Sequence, residues 1–403
     1  MIRKEIGYSY NDLTIVPSKI SYVDSRSECN PFISGNTLPI FTAPMSSVVG
    51  LDNYLDWESN GIIPILPRTV PLIFEELLDK IYQGYWVALG LSEFKSLEDN
   101  LVIDQIRDKA RVLLDIANGH MNTVYYISKK LKNKFGDKIE IMVGNIANPE
   151  TYIDCIEAGI DYVRCSIGSG AGCLTTSNTG IHYPIASLLD EINKLKGRST
   201  NPPKVIADGG IRNYSDVIKA LALGADYVMI GGLFSQFLES TGEIIRSSEI
   251  SKEHDSVYKF ILHSADSGVK LSDIVDRSSS ECDENIGIEI FDFALNIDLS
   301  VCKEHIKRNL IQHYKIEKLF YGMSTKRAQM MIGINGPVGT KLKTAEGIEK
   351  VVQVKYTMKQ WVENMIDYLK SAMSYCGCID LQSFIGKQTL IPNSPGEIGA
   401  VNK

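Results

Sequence analysis

The chain has 403 residues, 44% of them hydrophobic and 23% charged, an ordinary globular composition long enough for one large barrel or two to three smaller domains. A formal net charge of −7 with no basic run argues against a nucleic-acid groove, so an anionic small ligand would have to be met by local cations or backbone N–H groups. The opening MIRKEIGYSYNDL has no apolar signal-peptide core and no run reaches membrane-span length, so a cytoplasmic protein without a membrane partner is expected.

In chain order, eight short apolar runs recur: LPIFTAP (38–44), GIIPILP (61–67), YWVALGL (85–91), ARVLLDIANG (110–119), KIEIMVGNI (138–146), DYVRCSIG (161–168), PKVIADGG (203–210) and DYVMIGG (226–232). Near-continuous apolar runs suit strands buried on both faces of a parallel sheet. Amphipathic stretches lie between them, most clearly NTVYYISKKLKNKF (122–135) and NYSDVIKALALG (213–224). Eight βα repeats predict an α/β fold of the (β/α)8 TIM-barrel class. A doubly wound sheet would show a G-x-G-x-x-G turn after its first strand, and none follows LPIFTAP.

Glycine pairs end the seventh run (Gly209, Gly210) and the eighth (Gly231, Gly232). They read either as tight turns or as a phosphate site, since barrels frequently bind phosphate after strands seven and eight. After the sixth run comes GSGAGCLTTSNTG (168–180), a glycine-rich loop with one cysteine, which by itself reads as a turn with an incidental thiol or as a reachable nucleophile. The eight cysteines show no disulfide spacing, so reduced thiols are expected, and the Cys376/Cys378 pair with no histidine nearby does not make a zinc site.

Beyond the eighth run the pattern breaks. The expected organisation is a single catalytic barrel formed by 1–246 and 317–390, including a mobile flap and a C-terminal helix, with an insertion at 247–316 and a tail at 391–403. The insertion could be a lid, a subunit contact or neutral decoration. VCKEHIKRNLIQHYKIEKLF (301–320) reads as a helix, IGINGPVGTKLKTAEGIEK (332–350) as irregular, and TMKQWVENMIDYLKSAMSYCG (357–377) as the final helix.

The ordered segments YNDLTIVPS, SRSE, APM, LDIANGH, GN, GSGAGCLTT, TGIHYP, IADGGIR, ALALGADYVMIGG, YGMS and AEG together resemble the IMP dehydrogenase / GMP reductase family. The resemblance implies a (β/α)8 barrel without an inserted CBS regulatory domain, usually a homotetramer, acting on a purine 5′-monophosphate with a nicotinamide cofactor. It implies Cys173 as nucleophile, with Thr175 and Glu346 handling the proton on a departing amine; without it, Glu346 reads as a solvated loop carboxylate. Substrate would be met by Met45 (otherwise a core methionine), Ser46, Asp208 on the ribose, Gly209, Gly210, Gly231, Gly232, Tyr321, Gly322, Met323, Ser324 and Gly347. Cofactor would be met by Ser25, Arg26, Arg68, Asp115, Ala117, Asn118, Ile167, Gly168 and Lys343, with Ser371, Ser374 and Gly377 contributed by a neighbouring subunit. A monovalent cation such as potassium would sit on Gly168, Gly170, Cys173 and Thr176.

The family runs two opposed reactions. Dehydrogenases oxidise IMP to XMP with NAD and use an Arg–Tyr pair on the flap to activate water; the stretch 324–346 holds Arg327 but no tyrosine. DIANGH, TGIHYP, YGMS and SYCG read like the reductase versions. The expectation is therefore NADPH-dependent reductive deamination of GMP, or a related purine nucleotide, to IMP and ammonia through a covalent thioimidate. IMP dehydrogenase and a catalytically silent nucleotide-binding protein stand as the alternatives. PMSS puts Ser46 where reductases usually carry an aspartate, and TSN replaces a basic stretch, leaving ribose against deoxyribose and base variants open.

Overall fold

Each of the eight apolar runs supplies one strand, and the strands close on one another. The computed structural model describes residues 6–249, 304–334 and 344–394. A first short strand, β1 (Leu13–Ile15), precedes the barrel; the barrel strands are β2 (Ile40–Thr42), β3 (Ile65–Leu66), β4 (Trp86–Leu89), β5 (Ala110–Asp115), β6 (Ile139–Ile146), β7 (Tyr162–Cys165), β8 (Lys204–Asp208) and β9 (Tyr227–Ile230). All neighbours are parallel, in the order β2-β9-β8-β7-β6-β5-β4-β3. A parallel bridge between Phe41 and Ile63, with Ile63 N–H on Ile40 O and Thr42 N–H on Ile63 O, closes the ring. This is the (β/α)8 barrel that the repeat pattern predicts.

The runs are continuous because both faces are covered. Phe41, Ile65, Trp86, Ala88, Leu113, Met142, Ile206 and Met229 fill the barrel interior. Their neighbours along the strands, such as Val112, Leu114, Val143 and Val205, pack outward under the helices. At one end Phe41, Trp86, Tyr162 and Tyr227 meet edge to face or tilted, with ring centroids 5.1–6.2 Å apart. That aromatic layer closes the N-terminal end of the strands and leaves the opposite mouth for a site.

Two identical devices hold the strand starts. Asp161, just before β7, accepts the Ile141 N–H of β6 (2.8 Å) and pairs with Lys132 (3.0 Å) of the helix ahead of that strand. Asp226, just before β9, does the same with Val205 N–H of β8 (2.8 Å) and Lys196 (2.6 Å).

The remaining elements form a second, smaller layer. β10 (Ile244–Glu249), β11 (Tyr314–Tyr321) and β12 (Glu349–Gln353) make an antiparallel sheet with β11 in the middle. The long C-terminal helix, Met358–Tyr375, matches the expected final helix, and β13 (Leu390–Pro392) pairs antiparallel with β1. The helix read over 301–320 is half right: it covers Glu304–His313, and the chain then becomes β11. There Ile316, Lys318 and Phe320 are buried while Lys315, Glu317 and Leu319 are not, a period of two that replaces the helical one. The stretch read as irregular begins inside a helix, Lys326–Ile334, and ends in β12. Strands β10 and β11 pair Glu249 with Tyr314, so they enter both ends of 247–316; residues 250–303 of that segment lie outside the described residues. No helix among the described residues is long and apolar enough to cross a membrane.

The two aspartate devices predict a measurable stability effect. Asp161→Ala and Asp226→Ala should each lower the unfolding free energy by about 1–3 kcal/mol, because each leaves a strand N–H without its acceptor and an ammonium without its carboxylate. Urea denaturation of the single and double variants checks this, with near-additive losses expected for separate sites.

Candidate active site at the C-terminal mouth of the barrel

The last inward positions of four adjacent strands change character. Asp115 on β5, Arg164 on β7 and Asp208 on β8 are charged, and Gly144 on β6 has no side chain. Arg164 is buried, 7% exposed, and its guanidinium reaches both carboxylates: Nη1 to Asp115 Oδ1 (2.7 Å), Nη2 and Nε to Asp208 Oδ2 (2.8 and 3.1 Å). Burial works against its charge, but Asp208 and Asp115 together raise its proton affinity above the ordinary arginine value. Asn145 Nδ2 donates to Asp208 Oδ2 (2.7 Å) and to Ser166 O (2.8 Å). Gly144 is required here, since a Cβ would lie 2.4 Å from Arg164 Cβ and the residue holds φ +156°. Arg164 and Asn145 were not singled out from sequence. The signal for Arg164 was available: a lone charge inside the apolar run YVRCSIG, in a strand buried on both faces, has to be paired.

The loop after β7 is built to bring a thiol forward. Ser166 holds φ 129° and its hydroxyl donates to Ser169 Oγ (2.6 Å), which bends the chain sharply out of the strand. Gly168 has φ +81°, and a Cβ there would stand 1.7 Å from Thr176 Oγ1. At the loop's far side Cys173 Sγ donates to Thr175 Oγ1 (3.3 Å), and Thr175 Oγ1 donates to Glu346 Oε2 (2.7 Å). Main-chain pairing delivers the carboxylate. Gly347 bridges Cys173, Leu174 N–H donates to Glu346 O (2.7 Å), and Ile348 N–H donates to Gly172 O (3.0 Å). Cys173 is half-buried, while the other five cysteines among the described residues are buried. Burial pushes the Cys165 thiol upward and keeps it an inert core residue.

Most residues expected around a substrate converge on this loop. Met45 Sδ lies against Gly231, and Ala171 against Gly232. Gly209 (φ +109°) sits against Ser169 and Gly170. Gly210 N–H donates to Ser169 O (3.0 Å), so that donor ties the loops together and does not point at a ligand. Ser46 Oγ donates to Tyr321 Oη (3.1 Å), and Ser47 Oγ donates to Tyr321 O (3.2 Å), locking PMSS to β11. Gly322, Met323 and Ser324 form the turn closed by Thr325 N–H on Gly322 O (3.1 Å); Glu346 N–H donates to Ser324 O (3.3 Å), and Gly347 packs on Ser324 Oγ. Phe320, also unforeseen, lies under the loop against Gly172 and Gly232.

The residues expected to hold a cofactor are placed as follows. Arg68 stands at the end of β3, with Nη1 at 3.5 Å from Asp115 O; its Nε, and the neighbouring Thr69 Oγ1, are buried without a partner among the described residues. An orphaned guanidinium N–H beside Asp115 fits an amide or phosphate group arriving from outside. Asn118 Oδ1 accepts the His120 N–H (3.1 Å) in the loop that also holds Ala117, and Ile167 O accepts from His182 Nδ1 (2.9 Å). Ser25 caps the short turn of Arg26, and Arg26 lies 3.8 Å from Asp367 on the C-terminal helix, with both side chains exposed. At the end of that helix Ser374 O accepts from Ser21 Oγ (2.7 Å), Gly377, two residues past the end at Tyr375, takes φ +67°, and Ser371 stands four residues before that end. Lys343 lies outside the described residues. Of the expected cation ligands, Gly170 O accepts the Cys173 N–H (3.0 Å) and Thr176 O the Gly180 N–H (2.9 Å), which fixes the loop's carbonyls in place.

Arg164→Met should leave two half-buried carboxylates without their cation and cost about 3–5 kcal/mol. Arg164→Lys, which supplies charge but not the fork, should lose less. Thermal unfolding of the three proteins decides it, and equal stability of all three would refute the pairing as the brace of this mouth.

Residues 96–256 match the profile of the IMP dehydrogenase / GMP reductase domain. Among curated proteins, the chain is 29% identical over 258 residues to a GMP reductase of Bacillus subtilis, covering 61% of this chain and 77% of that one. It is 30% identical over 248 residues to a GMP reductase of an Exiguobacterium species (59% and 73%), and 30% identical over 251 residues to one of Staphylococcus aureus (59% and 74%). With the barrel, the thiol loop and these likenesses together, the chain belongs to the IMP dehydrogenase / GMP reductase family.

Proposed function

We propose that this chain is an oxidoreductase of the GMP reductase type, converting GMP or a closely related purine 5′-monophosphate to IMP and ammonia with NADPH. The observation that carries the reading is the relay from Cys173 Sγ through Thr175 Oγ1 to Glu346 Oε2. The Sγ–H and Oγ1–H donors run in sequence toward the carboxylate, which supports Glu346 as the acceptor of the thiol proton as Sγ adds to C2 of the purine. The same proton, returned through Thr175, converts the 2-amino group into ammonia as the C2–N bond breaks and the thioimidate is left. NADPH, when bound, supplies the hydride for C2. The Sγ–C2 bond then breaks and frees Cys173.

The neighbouring residues suit the roles of binding and orientation. Asp208 Oδ2 is taken by Arg164 and Asn145, which leaves the carboxylate fixed for ribose hydroxyls. The turns of Gly209, Gly231, Gly232 and Ser324 would receive the phosphate, and Met45 the purine face. Arg68, Asp115 and Asn118 would hold the cofactor, with Ser25, Arg26, Ser371, Ser374 and Gly377 serving across subunits of a homotetramer. A monovalent cation on the loop of Gly168, Gly170, Cys173 and Thr176 would stiffen the thiol's support. The hydrolytic reaction of the dehydrogenases would need a base on the flap, and Arg327 is engaged by Glu243 (3.4 Å) and Glu349 (3.4 Å).

The test follows reduced-nicotinamide absorbance with GMP and NADPH beside IMP and NAD, identifying the purines by chromatography. Consumption of NADPH with IMP appearing, abolished in Cys173→Ala, is the expected result. XMP formed from IMP would install the dehydrogenase instead. Glu346→Gln and Thr175→Val should each lower kcat by about 10²–10⁴ with a smaller effect on KM, as removal of an acid–base group does.

A further inference from the structure

The sheet that carries Glu346 is held to the barrel by a buried cation. Lys318, in the middle of β11, is 2% exposed. Its Nζ donates to Leu238 O (2.6 Å), Ser240 O (2.5 Å) and Phe237 O (3.3 Å), with Ser240 Oγ at 3.4 Å. The segment it grips is the irregular stretch that follows β9. The carboxylate that acts on its charge, Glu239, is committed elsewhere: Oε1 pairs with Lys307 (3.1 Å) and Oε2 accepts the Met358 N–H (2.9 Å). So the ammonium rests on backbone oxygens, whose positions are set by the barrel itself. Burial lowers its proton affinity to about 7, with Glu239 pulling the other way; the charged and neutral forms both keep N–H donors for these carbonyls.

An apolar side chain would fill that volume at lower cost, because burying an ammonium without a carboxylate is expensive. What the lysine adds is a fixed register. Side chains alternate along a strand, so Lys318 and Phe320 share the face that meets the barrel. Phe320 lies against Gly172 and Gly232, directly under the nucleophile loop. Across the sheet, Phe320 pairs with Lys350 and Tyr321 with Glu349. The three residues ahead of that pairing, Glu346–Ile348, lie along Gly172–Leu174. The support of the Cys173 loop and the carboxylate that reaches Thr175 therefore hang from one short sheet, and its inward anchor is Lys318.

We infer that Lys318 is a positioning residue for the Cys173–Thr175–Glu346 relay, acting by locking β11 onto the carbonyls of Phe237, Leu238 and Ser240. The inference rests on the relay assigned under the proposed function, but it can be read without turnover. Full-length wild-type protein, Lys318→Met, Lys318→Gln, Glu346→Gln and the Lys318→Met/Glu346→Gln double variant are treated with iodoacetamide, and the rate at the Cys173 peptide is followed by mass spectrometry. Slower alkylation of Cys173 in Lys318→Met, partial recovery in Lys318→Gln, and no further slowing of Glu346→Gln by the second change are expected. Lys318→Gln keeps a donor in the cradle and serves where Lys318→Met does not fold. Unchanged or faster alkylation, or effects that multiply independently, would overturn the inference, since a loosened loop merely exposes the thiol. With GMP and NADPH, Lys318→Met should lose kcat by about 10–100-fold at near-constant KM, and Lys318→Gln less, as misplacement of a reacting group does. A protein with the expected alkylation pattern but no turnover of GMP would sink the proposed reaction and leave the positioning role standing.

Discussion

The mouth of this barrel is organised by one requirement: the Arg164 guanidinium, buried among strands, has to meet negative charge from within the barrel. It does so with Asp115 and Asp208, which stand at the ends of strands on either side of it. A charge left unpaired there would be far more costly than any packing gain. The pairing therefore fixes the ends of β5 to β8 relative to one another. It also explains the glycine at 144, where any side chain would collide with Arg164. One end of the interior is apolar and aromatic, and the other is a braced polar layer on which a ligand can be oriented.

On that base the site is completed by two distant parts of the chain. The thiol loop follows β7, while its carboxylate arrives from a segment 171 residues further on. Closing so long a loop is slow rather than prohibitive, because its entropic cost grows only with the logarithm of length. The cost is met by main-chain pairing of Glu346–Ile348 with Gly172–Leu174 and by the seating of Phe320 and Lys318 on the barrel. Thr175 has its carboxylate only while the small sheet is docked. The thiol–threonine–carboxylate chain and sheet docking are thus one structural event.

Much of this was legible in the chain. All eight barrel strands fall inside the eight apolar runs, because strands covered on both faces leave no polar alternation to confuse the reading. The glycine-rich loop with Cys173 was visible as an oddity of composition. What misled was a change of period without a change of composition. Residues 304–313 carry helical spacing, and 314–321 continue with similar residues at a period of two, so the boundary between helix and strand was invisible without the partners β10 and β12. Gly210 was read as a phosphate donor, yet its N–H is spent on Ser169 O, a long-range choice that no local pattern records.

The sequence by itself determined the barrel, the order of its strands and the identity of the thiol loop, because those depend on periodicity and on residue types whose chemistry is local. It did not determine which carboxylates Arg164 would join, which backbone oxygens would receive Lys318, or that Glu346 would reach Thr175. Those are pairings between residues far apart in the chain. Only the closed barrel and its docked sheet bring them within hydrogen-bond distance, where low polarity makes each pairing obligatory.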